Sequence, residues 1–341
     1  MFKTIVLFNH KGGVSKTTTT FNIAWKLTQK GKKVLIVDGD PQCNITGMFL
    51  GDNFDDFYEK DSTKNQNIKD AVSMAFKGRP QPIEAINCQV HNKNQSLYII
   101  PGHMDLAEYE ASLSLALNSN NAIVTLQNLP GAIYALIEKC AEKYNIDYVL
   151  IDMNPGLSAI NQTFFMYSDA FIVPTNPDPF SIMALKTLKT ILPKWKKWAD
   201  QGRRLFIDSA YPLPNCQMKF IGTIIQRFNV RNHTAAKPYV GKIQEIKEFV
   251  TKDFVEEMRK YDMLEDITSI PKTCSIQDRC LGEIADFGSL IQKANDANKP
   301  VFDLTKDEMS AVGNVYKGME EKRKSIDAIF DNICDIILET V

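Results

Sequence analysis

The tightest constraint on this chain is an apolar run, Phe2–Phe8, that feeds directly into Lys11-Gly12-Gly13-Val14-Ser15-Lys16-Thr17-Thr18. A continuous apolar run is what a strand covered on both faces of a parallel sheet requires. The stretch Thr17–Lys30 then carries Phe21, Ile23, Ala24, Trp25 and Leu27 and meets Gly31, a residue suited to stop a helix. Strand, glycine-rich turn and helix together gather backbone N–H groups and a helix N-terminus around a phosphate. The strict pattern G-x-x-x-x-G-K-[ST] is not met, because the positions needing glycine hold His10 and Ser15. What remains is K-G-G-x-x-K-T-T, with Lys16 placed for phosphate oxygens and the Thr17 hydroxyl for Mg²⁺. Ser15 must accept backbone angles that glycine adopts most cheaply.

The rest of the chain alternates strand and helix. Strands are expected at Val34–Val37, Leu97–Ile100, Tyr148–Ile151, Ala170–Val173, Phe220–Ile225 and Ile267–Ile270, the last just before Pro271. Helices are expected at Leu129–Lys143, Ser181–Trp198, Val240–Lys260 and Ser310–Leu338, with Pro193 kinking or ending the second. This alternation predicts an α/β fold with a mostly parallel central sheet flanked by helices. With no internal repeat or low-complexity linker, residues 1–341 read as one domain. A polar insertion at about 52–96 reads as a mobile stretch, a short helix at Ile68–Phe76 and a loop.

Composition narrows the role. The formal net charge of −1 gives no global pull toward nucleic acid or membrane, so any attraction must come from a local patch. No apolar run is long enough for a bilayer, and no secretion signal opens the chain, so a reducing, cytoplasmic setting is expected. The seven cysteines show no paired or metal-ligand spacing and are expected to be structural thiols.

Two strands end in aspartate, Val34–Val37 in Asp38-Gly39-Asp40-Pro41-Gln42 and Tyr148–Ile151 in Asp152-Met153-Asn154-Pro155-Gly156. In open parallel sheets ligands bind at the carboxyl ends of strands, where carboxylates can serve a metal and a water.

Taken together these segments resemble the ParA/MinD family of deviant Walker A ATPases, P-loop NTPases of the SIMIBI type. Lys11–Thr18 is similar to the family's phosphate loop, Asp38–Gln42 to its switch I, and Asp152–Pro155 to its Walker B and switch II segment. Leu97–Glu110, Ser168–Leu185 and Phe220–Arg231 extend the likeness over most of the chain. The resemblance implies that Lys11, Gly12, Gly13, Val14, Ser15, Lys16, Thr17 and Thr18 cradle ATP or ADP. It implies that Lys11 reaches the nucleotide of a second subunit in an ATP-bound homodimer, while Lys16 serves the phosphates of its own. Asp40 would position the attacking water, with Thr17, Asp38 and Asp152 in or near the Mg²⁺ shell. Gln226 and Pro271 would flank the adenine.

The resemblance leaves several cellular roles open. Residues 186–204 hold Lys186, Lys189, Lys194, Lys196, Lys197, Arg203 and Arg204 against Asp200, and residues 227–242 add Arg227, Arg231, Lys237 and Lys242. Such segments can form a phosphate-contacting face. Arg231 matches in position an arginine that partitioning members use for DNA, so Arg231, Lys194 and Lys197 are the expected contacts of non-specific DNA binding. A ParB-like centromere-binding protein is the implied stimulating partner, and nucleoid association the implied location. The alternative is a MinD-like positioner, but the acidic residues Asp327, Asp331, Asp335 and Glu339 of the amphipathic last stretch disfavour an anionic membrane. An iron–sulfur reductase or a bare binding module fits less well, since Cys43 and Cys140 stand in no matching motif and Lys16, Thr17, Asp40 and Asp152 are all kept.

Overall fold

Side chains alternate across a strand, so Ile5 and Leu7 face one side of β1 while Val6 and Phe8 continue the other. Both sets are fully buried, and the chain therefore needs a layer of helices on each face. The computed structural model describes residues 2–79, 81–118, 126–231, 234–268, 276 and 278–341. Chain order begins β1 (Lys3–Leu7), α1 (Lys16–Gln29), β2 (Val34–Asp38), α2 (Asn44–Leu50), α3 (Phe54–Glu59) and α4 (Ile68–Phe76). It continues with β3 (Gln89–His91), β4 (Asn94–Ile100), α5 (Glu110–Asn118), α6 (Leu129–Tyr144), β5 (Tyr148–Asp152), α7 (Ala159–Met166), β6 (Ala170–Thr175) and α8 (Pro179–Leu205). After β7 (Lys219–Phe228) come β8 (Val230–Arg231), β9 (Thr234–Ala235), α9 (Lys237–Phe249), α10 (Val255–Lys260) and β10 (Cys280–Ala285). The last helices are α11 (Leu290–Asp296), α12 (Lys306–Met309) and α13 (Gly313–Thr340).

Eight strands form one sheet in the order β10-β7-β6-β1-β5-β2-β4-β3. Every neighbouring pair is parallel except β3 on β4. The class is therefore α/β with a mostly parallel sheet between helices. β1 lies at the centre with β5 and β6 on its flanks, so the loop leaving β1 opens between the ends of those strands.

α13 closes one face. Ile326, Phe330, Ile333, Ile336 and Ile337 are buried in the layer that also holds Phe21 and Leu27 of α1. The acidic stripe of α13 meets lysines of α1: Asp327 pairs with Lys26, while Asp331 and Asp335 pair with Lys30 at 2.8 and 2.6 Å. The apolar side of this amphipathic helix is spent on the body of the protein.

Three expectations change. Pro193 neither ends nor divides α8, which runs through it. One ladder hydrogen bond is lost there, but Leu188, Leu192, Pro193, Trp195 and Ala199 are all buried along the same helix. Residues 52–96 hold α3 and β3 besides the helix expected at Ile68–Phe76, which is α4, and Ile68, Val72, Ile83 and Ile86 join the core. The strand expected at Ile267–Ile270 is absent at Ile267 and Thr268, while Ser269, Ile270 and Pro271 lie outside the described residues. The strand next to β7 is instead β10.

His91 ties β3 into the layer around α1. Its Nδ1 accepts the Lys93 N–H at 3.1 Å, and its buried Nε2 has no hydrogen-bond partner. Trp25 and Phe49 stand edge-on to its ring at 4.9 and 5.0 Å. Burial, with help from Lys93, lowers its pKa from 6.5 to about 4. The unfolded chain therefore protonates first, and stability falls as pH drops from 6.5 toward 4. Between pH 7.5 and pH 5 this one residue should remove about 2 kcal/mol. Urea denaturation at the two pH values should show a smaller loss for His91→Phe than for the unaltered protein, and equal losses would refute the assignment.

Candidate active site

The chain leaves β1 through Asn9, which is fully buried. Its amide donates to the Pro174 carbonyl at 2.9 Å and accepts the Lys11 N–H at 3.0 Å, tying the start of the loop to the end of β6. Gly13 has φ +72°, and Ser15 follows at φ +56°, ψ +33°. The serine thus sits in the left-handed conformation that its position demands and that glycine reaches more cheaply. Ser15 begins α1 without a side-chain cap, so no capping side chain takes up the first N–H groups of the helix. That is the geometry of an anion site at a helix N-terminus. Lys16 lies beneath the loop, 6% exposed, with its ammonium 3.3 Å from the Lys11 carbonyl. Burial lowers its pKa, against the pull of Asp152 and Asp40.

Strand register places two carboxylates side by side. Asp38 of β2 is aligned with Asp152 of β5, both fully buried. Both Asp38 oxygens are engaged: Oδ1 accepts the Asp40 N–H at 3.1 Å, and Oδ2 accepts the Thr46 hydroxyl at 2.5 Å and its N–H at 3.1 Å. Asp38 therefore shapes the loop that carries Asp40. Neither oxygen of Asp152 has a hydrogen-bond partner. Burial first, and the Asp38 charge second, push Asp152 up to about 8, while nearby Thr17 and Lys16 temper the rise. Burial likewise pushes Asp38 up to about 7. Gly39, next along the chain, stands where no side chain could: a Cβ there would lie 2.5 Å from the Phe164 ring and 3.0 Å from the Asp152 carbonyl.

Mg²⁺ fits this donor set. A buried carboxylate with two unpartnered oxygens, close to the Thr17 hydroxyl, offers the oxygen ligands that Mg²⁺ prefers. Among the described residues no group of three His, Cys, Asp or Glu could hold a metal by itself.

A cavity of about 720 Å³ joins these parts, bounded by Gly12–Thr18, Asp40, Pro155 and the ends of β7 and β10. Gln226 lines it, but both ends of its amide are taken. Nε2 donates to the Val14 carbonyl at 2.6 Å, and Oε1 accepts the Thr19 hydroxyl at 2.9 Å. One N–H of the amide is thereby held on the phosphate loop and its oxygen on the first turns of α1. Pro271 lies outside the described residues. The cavity wall is built instead by Ile284, Ala285, Asp286 and Phe287 at the end of β10 and by Ile291 of α11. Sequence reasoning missed this wall, because CLGEIA has only weak strand character.

Lys11 lies on the rim, its ammonium paired with Asp178 at the start of α8 and 3.4 Å from the Ser181 hydroxyl. On the outer face of α8, Lys186, Lys194, Lys197 and Arg204 are exposed and have no ion-pair partner among the described residues. Lys189 and Lys196 pair with Asp253 and Asp200, and Arg203 also pairs with Asp200. The backbone of Arg231 lies in β8, and its side chain lies outside the described residues.

Known proteins bear on this site. The profile of the AAA domain family matches residues 2–202. The virulence plasmid ParA family protein pGP5-D of Chlamydia psittaci is 30% identical over 192 residues, 55% of this chain and 62% of that protein. Protein Rv1708 of Mycobacterium tuberculosis is 30% identical over 194 residues, 56% of this chain and 52% of that protein. The matched part spans 52–62% of the length of these relatives. Among solved structures, a Cyanothece McdA variant in complex with ATP superposes with a TM-score of 0.58 at 18% identity over 96% of both chains. A plasmid partition protein from Borrelia burgdorferi gives 0.51 at 19% identity over 99% of this chain and 98% of that one. At such identities the likeness establishes the fold.

The unpartnered Asp152 carries a measurable cost in the ligand-free protein. Its folded pKa of about 8 lies above the ordinary carboxylate value, so the stability it allows is complete in acid and lost as pH rises through 8. Asp152→Asn should therefore stabilise the ligand-free protein at pH 8 by roughly 1–3 kcal/mol and flatten its alkaline loss. A thermal unfolding series from pH 6 to pH 9 with parallel curves for the two proteins would contradict this.

Proposed function

This chain belongs to the AAA domain family and is a ParA/MinD-like protein, and from that premise we propose that it is an ATP-dependent dimerisation switch with weak Mg²⁺-dependent ATPase activity, serving DNA partitioning through non-specific DNA binding of the ATP dimer. The observation that carries the reading is the electrostatic coupling of two buried groups, Lys16 in the wall of the cavity and Asp152 at the end of β5, next to Met153 of the same wall. Lys16 lies under a loop shaped for anions, and the unpartnered Asp152 is its largest electrostatic counterweight. A phosphate chain with its metal answers both.

On this reading the loop's N–H groups and Lys16 hold the phosphates, and Thr17 and Asp152 hold Mg²⁺, which supplies charge neutralisation on the transferred phosphoryl group. Asp38 keeps both oxygens on its own loop and acts beside the metal shell. Asp40, buried at the cavity wall, receives and orients the attacking water. Lys11, on the rim, is placed to leave Asp178 and meet the nucleotide of a second copy. Lys194 and Lys197 with Arg231 contact DNA phosphates, and a ParB-like protein stimulates turnover on the nucleoid. Burial of the apolar face of α13, and the pairing of its acids with α1, favour DNA over a membrane as the surface bound.

Lys16→Ala should abolish measurable ATP binding. Lys11→Ala should bind ATP within about threefold of the unaltered protein, a change under 1 kcal/mol, yet neither dimerise with ATP nor hydrolyse it. Light scattering with ADP, with ATP and with ATP on a hydrolysis-blocked Asp40→Ala variant tests the switch; one unchanged mass throughout refutes it.

DNA binding should need ATP and fall steeply with salt. Replacing Lys194 and Lys197 together by alanine should lower the slope of log affinity against log salt by roughly 2, in equal measure for unrelated sequences. Binding indifferent to salt or nucleotide would remove the DNA role.

A further inference from the structure

β7 ends on the phosphate loop, and its last side chains grip the loop by its carbonyls. Gln226 donates to the Val14 carbonyl at 2.6 Å, and Arg227 donates to the Gly13 carbonyl at 2.8 Å. Asn176, just past β6, reaches the same Gly13 carbonyl at 3.0 Å. Within a planar trans peptide the C=O and the following N–H point in opposite directions. Drawing the Gly13 and Val14 carbonyls toward β6 and β7 therefore turns the N–H groups of Val14 and Ser15 to the other side of the loop. Those are N–H groups of the kind a phosphate cradle uses.

The grip is anchored at its far end. The Gln226 carbonyl oxygen accepts the Thr19 hydroxyl at 2.9 Å, which fixes the amide to the first turns of α1 and determines which end faces Val14. Arg227 holds φ +63°, a left-handed conformation that a residue with a Cβ adopts only where its surroundings enforce it. Its guanidinium lies against Gly13, where an added Cβ would be in ordinary contact with Nη1 at 3.7 Å. Strained backbone, two carbonyl clamps and a buried amide converge on two consecutive loop residues, Gly13 and Val14.

We infer that Gln226 and Arg227 are positioning residues that hold Gly13-Val14-Ser15 in its phosphate-binding shape, and that they act on phosphate affinity rather than on the choice of base. This rests on the nucleotide-binding reading of the loop. Ser15 makes the clamp more necessary, since a serine held at φ +56° has less conformational ease there than glycine.

The test uses the full chain with MgATP, MgGTP and inorganic tripolyphosphate as probes. Gln226→Met keeps the bulk and removes both hydrogen bonds, leaving the Val14 carbonyl without its donor. It should weaken MgATP and tripolyphosphate by the same factor, about tenfold, with the ATP-to-GTP affinity ratio unchanged. Arg227→Gly relieves the left-handed backbone while deleting the clamp. It should lose phosphate affinity with an unfolding midpoint equal to or above that of the unaltered protein, and Arg227→Lys, which keeps a donor, should recover most of the loss. Unchanged tripolyphosphate affinity with a collapsed ATP-to-GTP ratio would make Gln226 a base reader and overturn the inference. So would affinities equal to the unaltered protein in all variants. If the unaltered protein bound neither ATP nor tripolyphosphate, the nucleotide reading itself would fall, a result distinct from both.

Discussion

Asp38, Asp40 and Asp152 are all at most 5% exposed, and Lys16 is the buried cation that faces Asp40 and Asp152. Ionised carboxylates held this close in a dry setting repel one another and lose their hydration, and the ligand-free protein answers by raising the proton affinity of Asp38 and Asp152. Asp38 is partly compensated by Thr46 and the Asp40 N–H, whereas Asp152 has only the nearby Thr17 hydroxyl and Lys16 to temper it. The other side of the pocket has the opposite imbalance, an uncapped helix start and a desolvated ammonium. A cation against Asp152 together with an anion against the loop relieves both at once. A metal–phosphate pair is therefore complementary to the cavity in a way that neither ion alone would be.

The strand register enforces this proximity. Asp38 and Asp152 terminate β2 and β5, which are 114 residues apart counting from the strand ends, 152 − 38, yet pair directly in the sheet. Two strands ending in aspartate were legible in the sequence, because each apolar run stops at the carboxylate. Their adjacency was not, since the pairing of strands distant in sequence depends on how helices pack across the sheet. The glycine at 39 belongs to the same arrangement. In sequence it is one more turn glycine, and only the Phe164 ring and the Asp152 carbonyl reveal it as a spacer.

What Gln226 touches was hidden for a related reason. The end of β7 could be placed by its apolar run, but alternation fixes only the face of a side chain and not the partner it meets there. The acceptor it meets is the Val14 carbonyl, and leaving either buried group unpaired would be costly. The segment 52–96 is a different case. Its polar majority suggested mobility around the one helix that could be read, Ile68–Phe76, and Ile68, Val72 and Ala75 of that helix pack into the core. A few apolar residues at the right spacing outweighed the composition around them. β10 was hidden by the opposite effect, since Gly282 and Glu283 dilute a strand whose register on β7 comes from pairing rather than from hydrophobicity.

Lys11 shows how the same economy of contacts would serve the proposed switch. Its pair with Asp178 is part-exposed on both sides, 20% for the lysine and 35% for the aspartate. Pairs of this kind are worth about 1 kcal/mol or less, since solvent already screens them. Asp178 does not depend on the lysine for its place. Its Oδ1 accepts the N–H groups of Phe180 and Ser181 at 2.9 and 3.1 Å and caps α8, while Oδ2 alone meets Lys11. Withdrawing the lysine therefore leaves the helix cap intact and exposes a carboxylate to water rather than stranding it. A phosphate presented by a second subunit would offer Lys11 a multiply charged, desolvated acceptor in exchange for a screened one, and charge-assisted bonds to such groups are the stronger kind. The resting contact is thus strong enough to order the side chain on the rim and weak enough to yield it. A buried pair in its place would have locked the lysine, because breaking it would leave an uncompensated charge inside the protein.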